Sequence, residues 1–132
     1  MRKDIHIPKV KDVFIVAVKE WDTEFLSQNW FVYLINDGDK SLEITMVVSR
    51  GYTKNQKTAT LRHAFGLISP KSFKKIELLM EEVFTFTNEF LVTYFIGETL
   101  FEKTFVFPPN TILEKNQQVI PKIGRASCRE RV

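Results

Sequence analysis

The sequence predicts an all-β domain, a seven-stranded antiparallel β-sandwich of the immunoglobulin or fibronectin kind. Val (12), Ile (11), Thr (11) and Phe (12) crowd a chain of 132 residues in which Ala (4), Gly (5) and Pro (5) are scarce. β-Branched and aromatic side chains suit a pleated, half-buried surface. Short apolar runs recur with turn chemistry between them, the signature of many short strands. The composition, 44% apolar and 27% charged, is that of a soluble domain. At this length folding buries about two-thirds of the unfolded chain's surface, enough for one core without metal or disulfide.

Seven segments carry the pattern. Val13 to Lys19 and Trp30 to Asn36 are apolar on both faces, as covered strands are. Leu42 to Arg50 alternates, which places Leu42, Ile44, Met46 and Val48 on a core face and Glu43, Thr45 and Ser49 on a wet one. Between the second and third segments, Asn36-Asp37-Gly38-Asp39 is a turn cluster that either closes a hairpin or carries the chain to a second sheet. Thr58 to Leu67 follows, with His63 in period with Leu61, Phe65 and Leu67 and therefore expected to point inward. Phe73 to Met80 reads as a strand because Ile76, Leu78 and Met80 alternate with Glu77 and Leu79. A short helix over 70–83 competes there, since Ser69-Pro70 resembles a helix start and residues 73, 76, 80 and 83 are apolar. Glu89 to Ile96 and Thr99 to Phe107 are joined by Gly97-Glu98 alone, and Gly at the first loop position supplies the positive φ of a type II′ turn. That loop pairs residues whose numbers sum to 195, so Tyr94 faces Phe101 and Phe90 faces Phe105 on one side, leaving Leu91, Thr93, Glu102 and Thr104 on the other. Pro108-Pro109 ends the last strand. A small β-barrel is the alternative closure for the same strands.

The expected organisation is one domain over 1–110, a C-terminal extension over 111–122 and a tail over 123–132. The tail, IGRASCRERV, is encoded in order by ATC GGA AGA GCG TCG TGT AGG GAA AGA GTG, which resembles read-through of a short-read sequencing adapter, and such scars are excluded from fold reasoning. Without Arg125, Arg129, Arg131 and Glu130 the chain loses three of 19 basic and one of 16 acidic residues, and its net charge falls from +3 to +1. The only cysteine, Cys128, also lies in the tail, so thiol chemistry, disulfides and Cys-based metal sites are not expected in the natural part. No long apolar run marks secretion or membrane insertion, and a cytoplasmic location is expected.

Catalytic motifs are missing. The chain has no G-x-S-x-G, Walker A, G-x-G-x-x-G, H-E-x-x-H or C-x-x-C pattern. Its two histidines, His6 and His63, have no spaced partners, and His63 reads as a hydrogen-bonded structural residue. No enzyme activity and no cofactor are expected.

Charge is segregated instead. From Ile44 to Ile76 there is no acidic residue, while Arg50, Lys54, Lys57, Arg62, Lys71, Lys74 and Lys75 are basic; from Glu77 to Glu102 there are six Glu and no Lys or Arg. The two stretches are expected to neutralise one another across the surface. The candidate binding surface comprises Arg50, Tyr52, Lys54, Lys57 and Arg62, with the loop Gly51 to Lys57 as its exposed tip and Trp21 as an aromatic anchor beside Glu20, Asp22 and Glu24. Trp30, in an apolar strand, is expected in the core.

The stretches EWDTEFLSQNWFVYLIND, MVVSRGY, TATLRHAFG and NEFLVTYF resemble a group of short bacterial proteins that carry the label phenylalanyl-tRNA synthetase subunit alpha. The resemblance spans roughly Met1 to Pro121 and implies an RNA- or tRNA-associated accessory domain. Catalytic aminoacylation is not expected. A class II catalytic core is a large mixed α/β domain, and the glycines here outside the tail stand isolated at 38, 51, 66 and 97 with no pair able to close on a nucleotide. The leading expectation is a non-catalytic protein interaction or accessory module with an unknown protein partner, with RNA association as the alternative.

Overall fold

The computed structural model describes residues 8–113, together with the backbone of two strands at 118–120 and 125–129. Strands β1 (Val13–Asp22), β2 (Ser27–Asn36), β3 (Leu42–Tyr52), β4 (Leu61–Ile68), β5 (Ser72–Leu79), β6 (Thr87–Ile96) and β7 (Thr99–Phe107) follow one another along the chain. They form a sandwich: β5-β2-β1 on one side and β4-β3-β6-β7 on the other, every pairing antiparallel. This three-plus-four arrangement is the expected immunoglobulin or fibronectin type, with two open sheets and no closed barrel. Strands β8 (Gln118–Ile120) and β9 (Arg125–Arg129) extend the first sheet past β1 in the order β5-β2-β1-β9-β8.

The β6–β7 hairpin has the register the Gly97-Glu98 loop dictates, from Asn88↔Phe107 to Ile96↔Thr99. Gly97 adopts φ +63°. Tyr94 and Phe101 stack at 5.1 Å, and Phe90 meets Phe107 edge-on at 5.9 Å. The Asn36–Asp39 cluster carries the chain from one sheet to the other. Asn36, buried, donates its amide to the carbonyls of Lys40, Ile68 and Ser69 and accepts from the Gly38 amide, tying the crossing to the β4–β5 turn. The 70–83 region is strand β5 followed by a single 3₁₀ turn at Glu81–Val83, so the helical reading gives way to the β context.

Two expectations are corrected. In β3 the core face is Thr45, Val47 and Ser49, whereas Ile44 and Met46 are exposed. Ile44 takes φ +50°, and the pairing shifts between Leu42 and Thr45 against β4 and between Glu43 and Met46 against β6. This bulge flips the alternation for every residue after it. In β4 the strand begins at Leu61 rather than Thr58, where Leu61 is exposed and His63 and Phe65 are half-buried; past a second irregularity at Gly66 (φ +69°) Leu67 is exposed and Ile68 buried. Ile112, just after residue 110, is buried in the main core. Strand β9, within 123–132, pairs with β1 as Val16↔Arg129, Ala17↔Cys128 and Val18↔Ser127. Backbone pairing needs no particular side chains, so a strand edge can take a strand of any sequence. His6 and the rest of the tail lie outside the described residues.

The main core lies between the sheets and includes Ile15, Ala17, Trp30, Val32, Leu34, Val47, Phe90, Val92, Tyr94, Phe105 and Phe107. Each large side chain buried there contributes about 1.5–3 kcal/mol. A second apolar cluster, Val16, Val18, Phe31, Tyr33 and Ile35, occupies the reverse face of β1 and β2. It explains why both strands are apolar on both faces. At its margin the buried Glu20 accepts from the Tyr33 hydroxyl at 2.7 Å and pairs with Lys75 at 2.8 Å, while Lys75 lies 4.0 Å from the Phe31 ring centroid. A buried carboxylate is tolerated when so paired.

Candidate functional site

The structure gathers part of the sequence-derived surface. Arg50 and Tyr52 project from the end of β3, and a bridge between Tyr52 and Lys57 closes the loop that follows. Thr53 shapes that loop, since its hydroxyl accepts from the amides of Asn55 and Gln56. Arg50, Gly51, Tyr52, Lys57, Thr58 and Thr60 line a cleft of about 350 Å³. Lys54 is exposed at the loop tip and Arg62 on β4, and neither lines the cleft. Trp21 belongs to the other sheet, exposed at the end of β1, whereas Trp30 is core.

Electrostatics at this cleft are set by Glu89 of β6, directly opposite Arg50 in the ladder. The Glu89 carboxylate accepts from Arg50 Nε at 2.8 Å and from the Tyr52 hydroxyl at 2.7 Å. The Tyr52 hydrogen bond, helped by Arg50, holds the Glu89 carboxyl below the usual range, while the same bond, with burial, raises the Tyr52 phenol. The segregated charge of the sequence is thus joined across two strands: a residue of the acidic stretch neutralises one of the basic stretch. Arg50 is already committed to a carboxylate, which weakens its claim on a phosphate.

His63 finds the partner that sequence reasoning did not name. Its Nε2 lies 2.9 Å from Glu77 Oε1 on β5, and Ser49 Oγ on β3 donates to that same oxygen at 2.7 Å. The residue types are those of a nucleophile triad, but the order differs. A hydroxyl is activated when imidazole sits between it and the acid; here the carboxylate sits between, and it accepts the Ser49 proton rather than letting His63 take it. The cluster is a polar clasp between the sheets. Among the described residues no group of three or more His, Cys, Asp or Glu side chains is placed to hold a metal ion, and no helix is long and apolar enough to cross a membrane.

The four lateral edges of the sandwich differ in how they are defended. Natural edge strands resist adventitious pairing through charge, bulges and proline. β4 has its irregularity at Gly66, β5 has Lys74, Lys75 and a register shift opposite Val32/Tyr33, and β7 has Glu102 and Lys103 and runs into Pro108. β1 has none of these from Val13 to Val18, and its register with β2 is unbroken over ten pairs. It is also the edge that carries an added strand, β9. Two features escaped the sequence reading here. One is the exposed pair Phe25-Leu26 in the β1–β2 loop, which an apolar dipeptide beside an Asp-Thr-Glu turn signals. The other is Glu77, which only tertiary packing brings to His63.

No protein-family model, curated protein or solved structure matches this chain.

Proposed function

We propose that the domain is a non-catalytic, cytoplasmic interaction module that receives an extended segment of a protein partner along β1. The observation that carries this reading is the antiparallel pairing of Val16, Ala17 and Val18 with Arg129, Cys128 and Ser127. A ten-residue edge without charge or bulge over its first six positions takes a strand whose sequence has no apolar pattern to recommend it. Strand addition draws affinity from main-chain hydrogen bonds and specificity from alternate side-chain contacts. Here the neighbouring apolar cluster of Val16, Val18, Phe31, Tyr33 and Ile35 would supply those contacts.

The test is affinity capture of the full chain's partners from its host, with and without nuclease, and with and without excess peptide spanning residues 123–132. Capture that survives nuclease and falls at least fivefold with peptide supports strand addition. Capture that collapses with nuclease, falls steeply with salt and ignores the peptide moves the function to an RNA contact at Arg50, Tyr52, Lys54, Lys57 and Arg62, because phosphate contacts release counterions.

A further inference from the structure

The β1–β2 hairpin ends in a four-residue loop, since the ladder closes at Asp22↔Ser27. A loop of this kind is normally polar. This one places Trp21, Phe25 and Leu26 at 55%, 60% and 72% exposure. Trp21 lies in period with Lys19 and Ala17, whose ladder partners Trp30 and Val32 are core, and so continues the core face of β1 beyond the end of the sandwich.

The loop is also held in a fixed shape. Asp22 Oδ1 accepts from the amides of Glu24 at 2.9 Å and Phe25 at 3.4 Å, and Asp22 Oδ2 accepts from the Asn29 amide at 3.3 Å. The Asn29 amide also donates to Ser27 Oγ at 3.2 Å. Leu26 sits at φ +52°, a conformation that disfavours a side chain branched and bulky as leucine and persists only where its surroundings impose it. Exposed apolar side chains on a rigid frame resemble the anchors of an interface, which bind well because little freedom remains to be lost.

Charge narrows the partner. From Glu20 to Asp39 the chain has no Lys, Arg or His, and Asp22 and Glu24 flank the apolar side chains. An acidic rim repels anionic lipid and nucleic acid and matches basic side chains. We infer that the hairpin tip, Trp21 to Leu26, is a second contact surface that inserts Phe25 and Leu26 into an apolar pocket rimmed by Lys or Arg on a different protein. This surface is independent of the strand-accepting edge of β1.

The experiment places a photo-crosslinking amino acid at Thr23 of the full chain in its host. The expected result is a discrete adduct with another protein, reduced at least tenfold by Phe25→Ser or Leu26→Ser and at least threefold by Glu24→Lys. Leu100→Ser, at an exposed apolar site on β7, is the control and should leave the adduct unchanged, as should excess 123–132 peptide. An adduct indifferent to Phe25→Ser and Leu26→Ser overturns the inference. So does an adduct between two copies of this chain, or Phe25-dependent sedimentation of the purified protein with phosphatidylcholine–phosphatidylglycerol vesicles. All variants are at exposed positions, and circular dichroism spectra matching the parent establish that they fold.

Discussion

His63 Nε2 lies 2.9 Å from Glu77 Oε1 across the seam where β4, the edge of one sheet, meets β5, the edge of the other. Ser49 reaches the same oxygen from within the sandwich. Removing the carboxylate strands two donors, one of them on a residue only 3% exposed. Glu77→Ala should therefore cost about 2 kcal/mol, with Glu77→Gln costing less because an amide oxygen still accepts. Urea unfolding of Glu77→Ala, His63→Ala and the double variant checks this, and the cycle should return a coupling of roughly 1 kcal/mol.

Gly97 is replaceable in space but not in conformation. A Cβ added there meets no atom within 4 Å, yet φ is +63°. Gly97→Val should destabilise by about 1–2 kcal/mol through backbone strain alone, and Gly97→Asn by less, since asparagine tolerates the left-handed region. Thermal melting of the two variants side by side measures the difference.

Thr45 offers a stabilising change. The β3 bulge turns it inward, where its hydroxyl is buried and has no hydrogen-bond partner among the described residues. Thr45→Val keeps the shape and removes the desolvated oxygen, so stability should rise by about 1 kcal/mol. An unchanged or lower urea midpoint would show that the hydroxyl is satisfied.

Burial, reinforced by the Asp12 carboxylate, pushes the Tyr94 phenol up to about 12 from its ordinary 10.0. The folded state holds this proton more tightly than the unfolded state does. Its contribution is fully present below pH 10 and is lost as pH rises through 12. Stability should fall across that interval, and Tyr94→Phe should flatten the fall. Chemical denaturation at stepped pH, with tyrosinate absorbance followed in parallel in the parent and in Tyr94→Phe, separates Tyr94 from Tyr33 and Tyr52.

Most strands could be read from the chain because their signals are local. The Gly97-Glu98 loop sets its register by itself, and β1 and β2 announce two buried faces by lacking polar alternation. The β3 faces could not be read, because a bulge at Ile44 is a backbone event with no residue type to mark it: isoleucine is among the least expected side chains at positive φ. The candidate surface was half recoverable. Arg50 and Tyr52 are adjacent in chain and space, but Glu89, which neutralises one and bonds the other, comes from a strand 37 residues beyond Tyr52. The Glu77 clasp on His63 depends on two sheets closing and leaves no local trace. Exposure of Trp21 was foreseeable from its acidic neighbours, whereas the strand-accepting character of β1 emerges only when the four edges are compared.

The most direct measurement is amide hydrogen exchange at Val16, Ala17 and Val18 in the full chain and in Ser127→Pro, which takes a donor from the middle of β9. The strand-acceptor account predicts that exchange among these three amides accelerates at least tenfold in the variant, while β2 and β6 stay protected, and that added 123–132 peptide restores protection. Exchange unchanged by Ser127→Pro, or accelerated without recovery on adding peptide, would contradict it.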